Sequence, residues 1–236
     1  MIWIVVAIII AGVALLVFRA QATIYRYRLT VEVETPEGLR TGSAVREVRW
    51  RSGRQITSEA DSSSMTHRGE AAMVELPNGQ VLFALMSPNG QETPRLAFGS
   101  ARQTAASDRS LKILKPPLRP DLQFGESGYP RLVRFGDMRD PTTVVSVDPE
   151  NLPLSFGPGY RLVRITAEIV DDDVTTKIKN RLPWLDIHPE QALKRIHSGN
   201  DWSLPASLKN KDFLRFEHEY ESTSRNPCDG FLQLPC

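Results

Sequence analysis

Residues 1–18 read MIWIVVAIIIAGVALLVF, with no charged and no strongly polar side chain, and Arg19 closes the run. At about 1.5 Å per residue a helix of that length spans about 27 Å, close to the ~30 Å hydrocarbon core of a bilayer. A helix buried in a soluble core would show a polar stripe, and this run has none. Trp3 on one side and Tyr25 and Tyr27 on the other suit interfacial positions. The pattern predicts a transmembrane anchor over residues 1–22 and a globular, sheet-rich domain over residues 23–236.

A cleaved signal peptide is the rival reading, because Ala20-Gln21-Ala22 has the A-x-A form of a cleavage site. No Lys or Arg precedes the apolar run, and the run exceeds the usual signal-peptide core, which favours a retained single span. Arg19, Arg26 and Arg28 follow it, which by the positive-inside rule places the domain in the cytoplasm. Cys228 and Cys236 pull the other way, since they can close a small loop in an oxidising compartment. The side of the membrane stays open on these grounds.

Composition narrows the domain's class. The 236 residues carry 29 Lys plus Arg against 28 Asp plus Glu, a net charge of +1, which gives no global pull toward nucleic acid. Two Cys exclude a disulfide-dense scaffold and a four-Cys zinc module.

Strand signals dominate the chain beyond the anchor. From Tyr25 to Glu34 apolar odd positions alternate with Arg26, Arg28, Thr30, Glu32 and Glu34, the mark of a half-buried strand. Thr35-Pro36-Glu37-Gly38 turns the chain back into Arg40–Arg51. The polar stretch Ser52–Arg68 reads as a loop. A second hairpin is expected around Asn78-Gly79, with Val81–Met86 covered on both faces. Residues 94–106 are a helix candidate. Residues 108–130, with Pro116, Pro117, Pro120 and Pro130, form a long loop or linker that can divide the domain.

Arg131–Phe135, Thr142–Val147 and Arg161–Ile169 read as strands, the last with Val163, Ile165, Ala167 and Ile169 on one face. A helical turn is expected over Thr175–Arg181, a short helix that starts at Pro189 and stops just before Gly199, and a last strand over Phe213–His218. The fold class is therefore α+β, mainly antiparallel sheet with a few short helices, with an all-β sandwich or barrel as the alternative.

No catalytic constellation assembles. His67, His188, His197 and His218 include no i, i+4 pair and no H-E-x-x-H. Asp171-Asp172-Asp173 offers oxygen ligands, but three consecutive residues on an extended chain do not point one way, and a solvated strand end is the better reading. Asp137 and Asp140 can serve acid–base chemistry, yet G-D-x-x-D-P also describes a loop whose aspartates bond nearby backbone. Gly125-Glu126-Ser127-Gly128 is one residue short of a nucleophile elbow, and no phosphate-binding glycine motif is present. Arg46, Arg49, Arg51 and Arg54 surround Trp50, but alternation along a strand splits the cluster between two faces. A basic juxtamembrane surface for anionic lipid is the functional version of that cluster.

Tyr27–Gly38 continuing through Thr41–Val48, Gly69-Glu70 with Val74-Glu75-Leu76 and Leu82–Leu85, and Asn180–Leu185 together resemble uncharacterised bacterial proteins with one N-terminal membrane span. The resemblance implies a domain tethered to the bacterial inner membrane and carries over no catalytic residue. The reading is a membrane-anchored binding or assembly module. It is held to the membrane by Met1–Phe18, takes an unknown protein partner, and uses no cofactor, metal or nucleic acid. The alternative is a membrane-tethered hydrolase using Asp137, Asp140 or a histidine.

Overall fold

The structure, a computed structural model, describes residues 23–52, 63–86, 92–99, 109–115, 129–186 and 213–215. The expected anchor over residues 1–22 and the expected helix between Pro189 and Gly199 lie outside them. Among the described residues no helix is long and apolar enough to cross a membrane.

Two antiparallel sheets carry the fold. The first strands are β1 (Thr23–Thr35), β2 (Gly38–Ser52), β3 (Ser63–Glu70), β4 (Ala72–Glu75) and β5 (Val81–Ala84). They are followed by β6 (Lys112–Leu114), β7 (Leu132–Phe135), β8 (Val144–Ser146), β9 (Arg161–Val170) and β10 (Leu214–Arg215). Six strands form one sheet in the order β10-β3-β2-β1-β9-β6, and four form the other in the order β4-β5-β7-β8. Strands on the two sides of residues 116–128 hydrogen-bond to one another, β1 with β9 and β5 with β7. The helical elements with both ends among the described residues are α1 (Glu92–Phe98), α2 (Pro153–Phe156) and three 3-10 segments. The domain is thus mainly antiparallel β, and the all-β alternative describes it better than α+β. Of the helix expected over residues 94–106, residues 100–106 lie outside the described residues, and the described part ends at Phe98, where the amide of Gly99, a residue at φ +78°, bonds the Arg95 carbonyl.

The alternation in β1 does what its period requires. Tyr27, Leu29, Val31 and Val33 are buried between the sheets, with Ala44, Val48, Ile165 and Ala167 beside them and Val74, Leu82 and Leu132 facing them. Each large apolar side chain so buried contributes about 1.5–3 kcal/mol. Strand β5 is covered on both faces, as expected. Leu82 and Ala84 join this inter-sheet core, while Val81, Phe83 and Leu85 enter a second core. There Phe83, Phe135, Trp184 and Phe213 form an aromatic cluster, with Trp184 and Phe213 centroids 5.3 Å apart in a T-shaped contact. The Trp184 indole donates to the Met138 carbonyl at 3.0 Å, so burying it leaves no polar atom stranded.

Three sequence expectations change. Residues 63–68, expected as loop, are strand: β3 pairs with β2 from Glu47↔Arg68 to Ser52↔Ser63. Its polar side chains hid the strand, because pairing supplies the backbone bonds whatever the side chains are. Val163 does not join Ile165 in the core. The register of β9 against β1 slips between Arg164 and Leu162, leaving Val163 as an extra, 39% exposed residue. The Thr142–Val147 strand begins later, at Val144, because Pro141–Thr143 form a 3-10 turn capped by Asp140.

The sheets approach closely where β4 crosses β2. A Cβ at Gly42 would stand 1.7 Å from the Met73 carbonyl oxygen, so only glycine lets the two backbones meet there.

Candidate functional site

Two groupings gather the ionisable side chains. One is the outer face of the six-stranded sheet. Arg26, Arg28, Glu32 and Glu34 of β1 each oppose a residue of opposite charge directly across the register, namely Glu47, Glu168, Arg164 and Arg161. All four pairs close: Arg26–Glu47 at 2.9 Å, Arg28–Glu168 at 2.6 Å, Arg164–Glu32 at 2.9 Å and Arg161–Glu34 at 2.7 Å. Directly opposed side chains on one sheet face are near neighbours, so complementary charge there supports the register.

The aspartate run continues this pattern. Asp171 pairs with Arg109 at 2.7 Å, Asp172 with Arg28 at 2.6 Å and Asp173 with Arg26 at 3.1 Å. The three carboxylates diverge to three cations, as an extended backbone dictates. The Arg109 hydrogen bond holds the Asp171 carboxyl below its ordinary value. Among the described residues no group of three or more His, Cys, Asp or Glu is placed to hold a metal ion.

The second grouping is buried at the corner where β3 passes into β4. Arg46, 1% exposed, donates from Nε to the Glu70 carbonyl at 2.9 Å and from a terminal nitrogen to the Ala84 carbonyl at 3.0 Å. Its guanidinium thus satisfies the backbone acceptors at the ends of β3 and β5. The Glu70 side chain accepts from the Ile178 amide at 2.8 Å. Burial raises the Glu70 carboxyl above its ordinary value, while bonds from the Ile178 amide, the Thr175 hydroxyl and the Lys177 amide, with the charge of Arg46, oppose the shift. Thr175 in turn binds the edge of β2 that β3 vacates, exchanging bonds with the amide and carbonyl of Val45 at 3.1 Å each. Glu70 and Val45 together anchor residues 175–178 against the sheet corner, and Arg46 holds the Glu70 carbonyl.

The other sequence candidates are placed as follows. Asp137 accepts the Arg139 amide at 2.9 Å, and Asp140 accepts the Thr142 amide and hydroxyl at 2.9 and 2.8 Å. Both carboxylates are turn caps, as the loop reading expects. His67 is not in a loop; it lies on β3 across from Val48 and is 1% exposed. The arginine cluster is divided: Arg46 is buried and Arg49 is half-buried on the opposite face of β2. His188, His197, His218, Arg54, Cys228, Cys236 and Ser127 lie outside the described residues.

Sequence reasoning missed Glu70 as a buried carboxylate. Its only signal is the Gly69-Glu70 pair inside the quoted resemblance, which no chemical motif explains. Comparison with protein-family models, with curated proteins and with solved structures finds no match to the chain.

Proposed function

We propose that the chain is a single-pass, membrane-anchored binding or assembly module of the bacterial inner membrane, with no catalytic activity of its own. The observation that carries this reading is a juxtaposition. Four residues separate the end of the uncharged apolar run of residues 1–18 from Thr23, where β1, a central strand of the larger sheet, begins. A span joined so closely to the middle of the sheet would hold the domain at the bilayer surface. The assignment as a binding module is supported by the state of the acidic groups. Asp137 and Asp140 cap a turn, Asp171–Asp173 pair with arginines, and Glu70 holds a backbone amide. A hydrolase built on Asp137 or Asp140 would have to release these bonds first.

The test is in-cell crosslinking followed by purification of the full chain in mild detergent. A stoichiometric protein partner is the expected result. A chain that repeatedly purifies alone, as a single monodisperse species, would overturn the assignment as an assembly module.

A further inference from the structure

We infer that the end of the six-stranded sheet at Thr23 rests on the phospholipid interface, with Ile24 in the headgroup–acyl boundary and the β1–β2 hairpin tip directed away from the membrane. The inference rests on the anchored reading above and goes beyond it by naming the surface that meets lipid.

Reach comes first. Four residues separate Phe18 from Thr23, and fully extended chain covers at most about 18 Å over those five steps. Strand β1 runs 13 residues, so its far end at Thr35 is about 40 Å from Thr23. The tether holds one end of the sheet at the bilayer and leaves the Pro36-Glu37 tip far out.

The side chains at the near end suit an interface. Ile24 is 48% exposed on the outer face of β1, directly across from Arg49. Trp50 is half-buried, on the last rungs of the β1–β2 ladder, opposite Thr23. An isoleucine, a tryptophan and an arginine at one strand end are the residue types that sit at the boundary between acyl chains and headgroups.

Charge specifies the lipid further. Arg26, Arg28 and Arg109, all toward this end, are neutralised by Glu47, Glu168 and Asp171–Asp173. Of the arginines Arg26, Arg28, Arg49 and Arg109, Arg49 alone has no carboxylate partner among the described residues. With three of these four arginines ion-paired, the contact is mainly apolar and interfacial, and anionic lipid adds little to it. Laying the sheet flat would instead press the ion-paired face of β1, β2 and β9 onto the bilayer.

The experiment uses the full chain with Cys228 and Cys236 replaced by serine and a single Ile24→Cys or Glu37→Cys substitution. Each is labelled with an environment-sensitive fluorophore and placed in phosphatidylcholine nanodiscs containing a shallow spin-labelled quencher lipid. Thr23→Cys is the companion probe for the near end. Quenching several-fold stronger at positions 23 and 24 than at 37, unchanged when phosphatidylglycerol is added, is the expected result. Equal quenching at 24 and 37 would mean that the sheet lies along the bilayer and would overturn the orientation. Absent quenching at 23 and 24 in a chain retained by the disc would overturn the lipid contact, and a rise only with phosphatidylglycerol would replace it with an anionic-lipid site. A chain that leaves the disc altogether would sink the anchored reading instead.

Discussion

Gly69 lies against Arg46: a Cβ on Gly69 would come within 3.0 Å of both Cα and Cγ of Arg46. The glycine sits at φ +139°, a backbone conformation that side chains disfavour, just before the chain leaves one sheet for the other. The arginine fills the space so left and reaches past it to the Glu70 and Ala84 carbonyls. Arg46→Met should cost about 3 kcal/mol or more, since two buried acceptors lose their donor. Gly69→Ala should cost about 1–3 kcal/mol through strain and crowding. Urea unfolding of the full chain in mild detergent checks both. A loss below about 1 kcal/mol for Arg46→Met would show that the corner does not depend on the guanidinium.

Glu70 gives the fold a pH dependence of known sign. Its carboxyl titrates above the ordinary range in the folded chain, chiefly because burial disfavours the charge. The folded state then holds its proton more tightly than the unfolded state. This contribution to stability is complete below the ordinary glutamate range of about 4.3 and is lost as pH rises through the raised folded value. Glu70→Gln keeps an acceptor for the Ile178 amide and cannot ionise. Stability measured against pH should therefore decline more steeply for the native chain than for Glu70→Gln across the range above the ordinary value. Parallel profiles would contradict the assignment.

The charge ladder on the outer face should be unequal along its length. The Arg161–Glu34 pair is exposed on both sides, with side chains 68% and 53% accessible, whereas Glu47 in the Arg26 pair is only 8% accessible. Exposed pairs contribute about 0–1 kcal/mol. A double-mutant cycle on Arg161 and Glu34 should give a coupling below about 0.5 kcal/mol, against about 1–3 kcal/mol for Arg26 and Glu47. A larger coupling for the exposed pair would reverse this ranking.

Asp140 caps the 3-10 turn through the Thr142 amide. Asp140→Ala should cost about 1 kcal/mol and Asp140→Asn much less, because asparagine also caps. Thermal unfolding distinguishes the two. Equal losses would place the requirement in the negative charge and revive the acid–base reading of the Asp137–Asp140 loop.

Much of the sheet was legible because its side chains obey a period. The alternation of Tyr25–Glu34 marked a strand, and its outer charges, Arg26 and Arg28 then Glu32 and Glu34, already carried the complement of their partners. Asn78-Gly79 marked a hairpin: Gly79, at φ +77°, donates to the Leu76 carbonyl to close it. Periodicity failed where long-range geometry decides. Strand β3 is polar, and pairing with β2 and β10 on either side makes it a strand. Val163 is displaced by a slip that depends on β1. Arg46 read as part of a basic cluster, since nothing local says that the chain will cross between sheets above it and leave carbonyls to satisfy.

Alkaline carbonate extraction of membranes from cells making the full chain, with the intact mass of the product read from each fraction, tests the central claim most directly. The account predicts that the chain stays in the membrane pellet with residues 1–22 still attached. Recovery in the supernatant, or a mass showing cleavage after Ala22, would contradict it.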